Sequence, residues 1–550
     1  MRMDRRRFLA TTIGAAGCLL LPSCTGSEDD QSPGAQGGRP TLRLVGGGFG
    51  IPSPFGYVAG LGYYRMSYIY DTLLWKDASG QLLPWLATGF SQSDDGSTYT
   101  FELREGVRWH DGRPFSAEDV AFTFDYFASH TFSPLLVAQP RGVAEVRAVG
   151  ERSVEFRLER PAVTFLEQIA GAIPIAPAHI WSSIQDPGAE RGLATLVGTG
   201  PYRLESFSES EGTYLYTANE SFFLGTPFVG RIEMAPVGDQ LLAVLAGQIV
   251  AGEASAVGQD ALEPFQGDPG YGILENKGDF SAPLHWNLGR GGALADVRFR
   301  RACAHAIDRA GIVERIGGAG VTGNPGFLPP THPFHVEVQQ YPYDVGLADQ
   351  LLDEAGYVRG TSGIRQGSDG QPLRFGLLVD EDRAAVAELV VGALRAVGVE
   401  LTPQFVDLVS LFQNKARGNY DMAVTFFPGP SGISANSDPD YLRLIYSSAL
   451  PPSPQAVQGY VNEELNELLE RQLVTQDEAE RMRLFASIQE IVARDLPVLP
   501  LYYSTQFFVF RNDVFDEWYY TPGGMATGVP QPYNKQGYVT GQKTGLEIRP

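Results

Sequence analysis

Two kinds of apolar pattern follow each other between residues 373 and 406. Residues 373–379 and 399–406 are short apolar runs, which are typical of buried strands. Between them, apolar residues recur at helical spacing and predict one continuous apolar helix face: Val386, Leu389, Val390, Ala393, Leu394 and Val397. A strand, a helix and a strand within about 34 residues have the size of a crossover between parallel strands.

Similar patterns predict that strands and helices alternate along the rest of the chain. Strands are predicted at residues 41–45, 99–103 and 499–503, and helices at 296–316, 463–473 and 475–493 and from Ser116 onwards. Thr475 and Glu478 have capping-box spacing, so Thr475 is predicted to cap the helix 475–493. This interleaving indicates an α/β fold, and no apolar run after residue 40 has the length of a membrane span.

The first residues have the pattern of an export signal. Arginines at positions 5–7 precede a short apolar run that ends at Leu-Pro-Ser-Cys24. The arginines resemble a twin-arginine signal, and Leu-Pro-Ser-Cys resembles a lipobox whose cysteine is acylated after cleavage. We therefore predict a signal peptide at 1–23, lipidation of Cys24 and a flexible tether at 24–40. The protein would then be exported, at the periplasm or cell surface, and lipid-anchored to a bacterial membrane. The alternative is an ordinary cleaved signal with a chance cysteine.

The charge of the chain narrows its range of partners. Asp and Glu number 64 against 42 Lys and Arg, which gives a net charge of −22. Nucleic-acid binding depends on Lys and Arg neutralising phosphates, so a broad nucleic-acid surface is excluded. Three cysteines are too few for a disulfide framework or a four-thiolate zinc site.

Motifs for catalysis, metal binding or cofactor binding are weak. Residues 318–323 match dinucleotide-binding glycine spacing, but they follow a predicted helix rather than a strand. His332 and His335 lie in a proline-rich loop, and the spacing reveals no third metal ligand. His110 and Asp111 are neighbours on a predicted turn, which does not by itself make a base and its orienting group. We therefore predict no catalytic residue, no metal, no cofactor and no enzymatic activity.

Several ordered segments are similar to one known family. The longest, residues 99–120, contains the run Gly-Val-Arg-Trp-His-Asp-Gly-Arg-Pro. Other matching segments are 70–74, 83–87, 198–202, 296–302, 306–309, 343–344, 351–357 and 438–440. Together they resemble the family 5 extracellular solute-binding proteins, which are the receptors of peptide and nickel ABC importers. Because residues 99–120 combine turn residues with apolar ones, we expect this segment to stabilise the fold rather than to contact ligand.

The resemblance implies a two-lobed α/β fold, like that of periplasmic binding proteins, with mixed sheets and a ligand cleft between the lobes. It places the crossing between lobes near 281–288 and the return near 497–503. Lobe 1 is therefore expected to contain residues 41–280 and 501–550, and lobe 2 residues 281–500.

The resemblance also implies where a ligand is bound. In the family the cleft is lined by the end of the first strand, the crossover and the segment before Asp-Pro, which correspond here to residues 47–49, 285–287 and 426–438. Apolar walls with sparse hydrogen-bonding groups are typical of small-molecule sites. The ligand-binding residues expected on this basis are Gly47, Gly48, Phe49, Trp286, Asn287, Phe426, Phe427, Ser431, Ser434, Asn436, Ser437, Asp438 and Tyr460.

The function implied by the resemblance is that of a membrane-tethered substrate-binding protein, acting as a monomer. It would capture a peptide or other small polar solute by cleft closure and deliver it to an ABC permease and its ATPase subunits. Two alternatives stay open: a secreted hydrolase, and a surface or signalling lipoprotein without a transport role.

One departure from the family concerns the ligand class. Peptide-binding relatives commonly carry an aspartate three residues before Asp-Pro, where it pairs with the free α-amine of the ligand. Ala435 stands at that position here. The site then lacks a charge-assisted hydrogen bond worth about 1.5–3 kcal/mol. We predict a solute without an obligatory amine anchor, unless another acid such as Asp438 replaces the missing one.

The anchor can be tested with Cys24→Ala. The variant is expected to be exported but not acylated, because Cys24 is the one membrane attachment that the sequence indicates, and acyl chains provide stable attachment. Fractionation of cells into membrane and soluble material checks this. A variant that still needs detergent for extraction would contradict the prediction.

Overall fold

The computed structural model describes residues 38–130, 132, 136, 138–255, 259–316, 320–425, 438–451, 453, 455–522, 524 and 532–549. The chain divides into two units, Met1–Gly37 and Gly38–Pro550, and all described residues belong to the second. The predicted signal peptide, Cys24 and most of the predicted tether therefore lie outside the described residues.

The described residues alternate between strands and helices, as the sequence predicts. The strands are β1 (Thr41–Val45), β2 (Leu74–Lys76), β3 (Leu82–Pro84), β4 (Ala87–Gln92), β5 (Thr98–Leu103), β6 (Val143–Ala148), β7 (Ser153–Leu158), β8 (Tyr202–Ser208), β9 (Thr213–Ala218), β10 (Arg231–Ala235), β11 (Ala251–Ser255), β12 (Tyr271–Trp286), β13 (Gly320–Thr322), β14 (Val358–Arg359), β15 (Arg365–Gln366), β16 (Arg374–Asp380), β17 (Glu400–Val406), β18 (Met422–Val424) and β19 (Val498–Arg511). The α-helices are α1 (Ala59–Ser67), α2 (Ala117–Ser129), α3 (Ala178–Trp181), α4 (Gln240–Leu245), α5 (Gly292–Ala295), α6 (Val297–Ala306), α7 (Arg309–Arg315), α8 (Val345–Glu354), α9 (Ala384–Ala396), α10 (Leu408–Ala416), α11 (Tyr441–Tyr446), α12 (Glu463–Val474), α13 (Glu478–Asp495) and α14 (Lys535–Thr540).

Two long antiparallel strands, β12 and β19, form the centre of the largest sheet. The strand order in this sheet is β11-β19-β12-β18-β16-β17, and β13 also pairs with β19. The pairing of β12 with β19 is irregular between Lys277 and Phe280 and between Ala282 and Pro283. Because β19 has 14 residues, it spans about 45 Å. Smaller sheets have the orders β1-β10-β9-β8 and β4-β5-β7-β6.

Buried apolar side chains form separate cores along these two strands. The larger core contains residues from 42–251 and 508–539 and includes Phe508 and Phe510 of β19. A second core contains residues from 282–502 and includes Leu499 and Leu501 of the same strand. A third cluster, from residues 327–498, lies among α11, α12 and α13. The strands β12 and β19 therefore connect the larger core with the second core.

The crossover predicted at residues 373–406 is confirmed. Strand β16 pairs in parallel with β17, starting with Arg374 opposite Glu400, and α9 lies between them in the chain. The predicted apolar face of α9 supplies fully buried side chains, among them Val386, Val390 and Leu394.

Two predicted helix limits are wrong. Thr475 does not cap α13; Asp477 does, with its carboxylate accepting a hydrogen bond from the Glu480 amide. The continuous helix predicted at 296–316 is divided into α6 and α7, because the Asp308 carboxylate accepts from the Gly311 amide and starts a new helix. In both cases an aspartate satisfies the free amides of a first helical turn and lies favourably near the helix dipole.

Residues 99–120 stabilise the fold, as expected. Trp109 and Val107 are buried in the larger core. Ser116 and Asp119 form a capping box at the start of α2, in which each side chain bonds the backbone of the other residue. The turn residues Gly106 and Gly112 have φ of 77° and 88°, which favours glycine.

A fully buried ion pair joins the last helix to the turn after α1. Lys535 Nζ donates to Asp71 Oδ1 at 2.6 Å and to the carbonyls of Ser67 and Tyr70 at 2.9 Å each. Asp71 also accepts from the Trp85 indole and from the Thr199 hydroxyl, both at 2.7 Å. Both side chains have 0% exposure, and these bonds compensate for the loss of water around the two charges.

Lys535→Met is expected to lower the free energy of unfolding by about 3–5 kcal/mol, because it leaves the Asp71 carboxylate buried without a counter-charge. Urea unfolding measures the loss. Arg147→Ala is the control, since Arg147 pairs with Glu155 at the surface, where such pairs contribute about 1 kcal/mol or less. Equal losses in the two variants would contradict the role given to Lys535.

Candidate functional site

The loop that follows β1 is held by close backbone contacts. The Gly46 amide donates to the Ala235 carbonyl at 2.8 Å, and the Gly47 amide donates to the Gly212 carbonyl at 2.9 Å. A Cβ on Gly46 would lie 2.2 Å from the Gly212 oxygen, so only glycine fits there. Gly47 and Phe49 are half-buried and Gly48 is exposed. The predicted ligand-binding loop is therefore a fixed element at the carboxyl end of a strand.

Arg65 of α1 holds this loop from the protein interior. Its guanidinium donates to the Gly47 carbonyl at 2.7 Å and to the Val45 carbonyl at 3.1 Å. The same group lies 4.4 Å from the centre of the Phe49 ring and 5.0 Å from that of Tyr214. Arg65 is buried, and cation–π contacts of this kind gain strength away from water.

Glu253 lies next to this region on β11. The Val250 amide just before β11 donates to the Arg43 carbonyl of β1 at 2.8 Å, which places the two strands side by side. Burial raises the pKa of Tyr64, while Arg65 and Glu253 act on that pKa in opposite directions, so Tyr64 lies close to both. Burial also raises the pKa of Glu253 to about 7.

The crossover residues Trp286 and Asn287 are corrected by the structure. Trp286 has 0% exposure and packs in the second core. The Asn287 amide donates to the carbonyls of Gly418 and Tyr420 at 3.0 and 2.8 Å, and its oxygen accepts from the Gly289 amide. In this structure the Trp286 side chain is enclosed in the core, and the Asn287 side chain is engaged by backbone groups, so both stabilise the crossover.

On the opposite face of β12, His285 and Lys415 form a buried pair that sequence patterns did not indicate. Lys415 Nζ lies 3.2 Å from His285 Nε2. Burial lowers the pKa of Lys415 to about 7, and burial together with Lys415 lowers the pKa of His285. Burial and the nearby Lys415 therefore both favour the neutral form of His285.

Asp438 and Tyr460 are engaged within the protein. Arg481 binds both carboxylate oxygens of Asp438, at 2.6 and 2.7 Å. The Tyr460 hydroxyl donates to the Asp495 carboxylate at 2.9 Å. Asp438 is therefore not the substitute acid that the sequence offered, because its oxygens already bind a cation. The other predicted ligand contacts lie outside the described residues: Phe426, Phe427, Ser431, Ser434, Asn436 and Ser437.

The histidines considered as catalytic or metal-binding candidates form hydrogen bonds within the protein. His110 bonds the Gly200 carbonyl at 2.9 Å, whereas Asp111 bonds His179 at 2.7 Å, so His110 and Asp111 do not face each other. Burial lowers the pKa of His110 to about 4. His335 Nδ1 lies 3.0 Å from the Leu328 carbonyl. Among the residues with described positions, no group of three or more His, Cys, Asp or Glu is placed to hold a metal.

A cavity of about 440 Å³ lies between α2 and β6, away from the predicted ligand-binding residues. Its lining includes Phe124, Phe127, His130 and Arg141.

In the described part of the chain, no helix combines the length and apolar character of a membrane span.

Solved structures with this fold are two-lobed periplasmic binding proteins. NikA from Brucella suis, in complex with Fe(III)-EDTA, has a TM-score of 0.74 and 24% identity and covers 90% of this chain and 99% of its own. DppA from Helicobacter pylori, in complex with the peptide STSA, has a TM-score of 0.74 and 21% identity, with coverage of 89% and 97%. The chain therefore has the two-lobed α/β fold of this class.

The chain belongs to the bacterial extracellular solute-binding proteins, family 5, whose middle region matches residues 81–450. It is 27% identical to heme-binding protein A of Haemophilus influenzae over 91% of this chain and 95% of that protein. It is 24% identical to the dipeptide-binding protein of Escherichia coli, with coverage of 81% and 85%. The expected family is thereby confirmed.

Arg65→Met tests how the loop after β1 is held. Loss of the guanidinium removes its hydrogen bond to the Val45 carbonyl and the shorter of two hydrogen bonds to the Gly47 carbonyl, which also accepts from the Tyr214 hydroxyl at 3.3 Å. The cost is up to about 1–3 kcal/mol for each carbonyl. We expect a lower unfolding midpoint and faster hydrogen exchange at the Gly47 amide.

The control for this variant is Arg43→Met on the neighbouring strand, because Arg43 is exposed and pairs with Glu233 at 3.4 Å. Its expected effect is below about 1 kcal/mol. If exchange at Gly47 were unchanged in Arg65→Met, the loop would not depend on Arg65.

Proposed function

We propose that this protein captures a peptide or similar polar organic solute in a cleft between two lobes and delivers it to an ABC permease. Membership of the family of extracellular solute-binding proteins carries the proposal. Relatives with peptide-binding names support the solute class, among them the oligopeptide-binding protein AppA of Bacillus subtilis, 23% identical over 92% of this chain. Affinity then comes from water exclusion and hydrogen bonds, and binding shifts the population towards the closed form.

The proposed lobes are residues 41–280 with 501–550, and residues 281–500. The separation of the larger core from the second core supports these boundaries, since β19 leaves the second core after Tyr502 and enters the larger one at Phe508. The first irregularity in the pairing of β12 with β19, between Lys277 and Phe280, falls between the two cores. Ladder hydrogen bonds are disrupted at such positions, which favours bending there.

The proposed cleft includes Gly47, Gly48 and Phe49 from lobe 1, and Phe426, Phe427, Ser431, Ser434, Asn436 and Ser437 from lobe 2. Arg65 supports the lobe 1 side by fixing the Gly47 carbonyl. The lobe 2 side is followed by a buried ion pair, Asp438 with Arg481, which ties the end of that segment to α13. Fixed ends on both sides reduce the ordering cost of binding.

Residues 1–23 are proposed to be a twin-arginine-like signal peptide, and Cys24 the site of lipidation. The mature protein would then be a monomeric lipoprotein, without catalytic activity, metal or cofactor, that works beside its permease at a bacterial membrane. Its tether, residues 24–40, is rich in Gly, Ser and Pro, a composition typical of flexible linkers.

Protein purified from its own host is expected to carry one small solute, which native mass spectrometry detects. The solute should be recovered chemically intact, and returning it to stripped protein should reduce the radius of gyration in X-ray scattering. Stripped protein without the solute is the control. Recovery of an altered solute would favour a hydrolase, and binding without compaction would contradict closure of two lobes.

A further inference from the structure

We propose that the Glu253 carboxylate binds a positively charged nitrogen of the captured solute, at the lobe 1 side of the cleft. The inference rests on the proposed function and names the chemistry of one subsite.

Glu253 lies among aromatic residues from three parts of the chain. It pairs in register with Phe508 of β19, so both side chains lie on the same face of the sheet. The Phe508 ring is 5.5 Å from that of Tyr533, and Tyr533 stacks on Tyr64 of α1 at 4.7 Å. Glu253 also contributes to the raised pKa of Tyr64 and Tyr533, after burial itself. The carboxyl group therefore faces an aromatic wall formed by these rings.

The Glu253 carboxyl group differs from Asp71 and Asp438, and also from Asp380, whose Oδ2 likewise has no partner among the described residues but whose Oδ1 pairs with Arg383. Its Oε1 is buried and accepts no hydrogen bond from any described residue. In contrast, Asp71 accepts from Lys535, Trp85 and Thr199, and Asp438 accepts twice from Arg481. Buried acceptors in folded proteins are normally satisfied, and one that is not needs an explanation. A donor supplied by a solute provides one.

No positively charged group among the described residues neutralises the Glu253 carboxylate. Burial is the one cause of its raised pKa, so no described positive charge offsets the loss of water. From α1, Tyr64 is neutral and Arg65 uses its terminal nitrogens on the carbonyls of Val45 and Gly47. Tyr533 is neutral, and Gln240 of α4 and Phe508 of β19 carry no charge. A solute ammonium or guanidinium would supply both the charge and the donor.

The position of Glu253 allows contact with a solute. The residue as a whole is half-buried although Oε1 is enclosed. It lies close to Tyr64, whose chain neighbour Arg65 binds the Gly47 carbonyl of the loop. Neighbouring tyrosine faces attract cations, and this adds to the attraction of a carboxylate. The subsite is therefore suited to an ammonium or guanidinium group carried on an apolar stem.

The experiment compares Glu253→Gln with wild-type protein in titration calorimetry. The probes are two matched pairs: tri-alanine with its N-acetyl form, and N-acetyl-Ala-Lys-Ala with N-acetyl-Ala-Gln-Ala. We expect wild-type protein to bind the member that carries an ammonium group, in at least one pair, about tenfold or more tightly than the member that lacks it. Such a ratio corresponds to about 1.4 kcal/mol, and Glu253→Gln should reduce it to near one. Glu205→Gln, at an exposed position of β8, should leave the ratio unchanged.

The dependence on pH provides a second readout. The carboxylate must be ionised to bind a cation, so affinity is present above its pKa and is lost below it. With a pKa of about 7, affinity for the lysine peptide should fall about tenfold from pH 8 to pH 6. The lysine ammonium stays charged over this range. Binding at pH 7 should release protons to the buffer in wild-type protein and not in Glu253→Gln.

The outcomes separate this inference from the proposed function. Equal affinity for charged and neutral peptides in wild-type protein, or a ratio retained in Glu253→Gln, overturns the assignment of Glu253 alone. If no cationic probe binds while a neutral peptide binds with compaction, the subsite is wrong and the receptor function stands. If no peptide probe binds and the solute recovered from the host causes no compaction in scattering, both fail. Thermal unfolding verifies that Glu253→Gln is folded, which is expected because the change removes a buried charge.

Discussion

The buried ion pair between Lys535 and Asp71 is the constraint on which the larger core and the candidate site both depend. It fixes the turn after α1 against the last helix and, through Thr199, against the segment before β8. Tyr533 lies two residues before Lys535 and stacks on Tyr64. The aromatic wall near Glu253 is therefore positioned by an interaction that takes no part in binding. Removing water from two charges is costly, and the enclosing hydrogen bonds make one geometry much better than others.

Arg65 and Glu253 show two different uses of a buried charge at the same end of the molecule. The two terminal nitrogens of Arg65 donate to backbone carbonyls and the guanidinium lies against the Phe49 ring, although its Nε has no hydrogen-bond partner among the described residues, so its charge serves to hold a loop. The carboxyl group of Glu253 has a buried oxygen to which no residue of the described ranges donates. Departures from the normal hydrogen bonding of buried polar groups are expected mainly at functional sites. This contrast is the reason for giving the two residues different roles.

The sequence predicted the parts of the fold that depend on local pattern. The crossover at 373–406 and the buried segment 99–120 follow from periodicity and turn residues, and both are present. Helix limits were less well predicted, because Asp477 and Thr475 are both acceptable caps and only the backbone path selects one. The residues of the candidate site were harder to predict from the sequence than the helix limits. Trp286 and Phe49 are both aromatic, yet sheet orientation sends Trp286 into a core. The pattern of apolar and polar residues does not indicate the roles of Lys535 and Glu253, because their partners and neighbours are distant in sequence. Lys535, for example, pairs with Asp71.

The larger core is assembled from both ends of the chain, residues 42–251 and 508–539, whereas the second core uses one continuous stretch, 282–502. Because a ribosome synthesises the chain from the N-terminus onwards, residues 508–539 of the larger core emerge last. Contacts between residues far apart in sequence form slowly, because a long loop must close first. The second core has all of its residues available earlier. During synthesis, every residue of the second core is therefore present before the last residues of the larger core have been added.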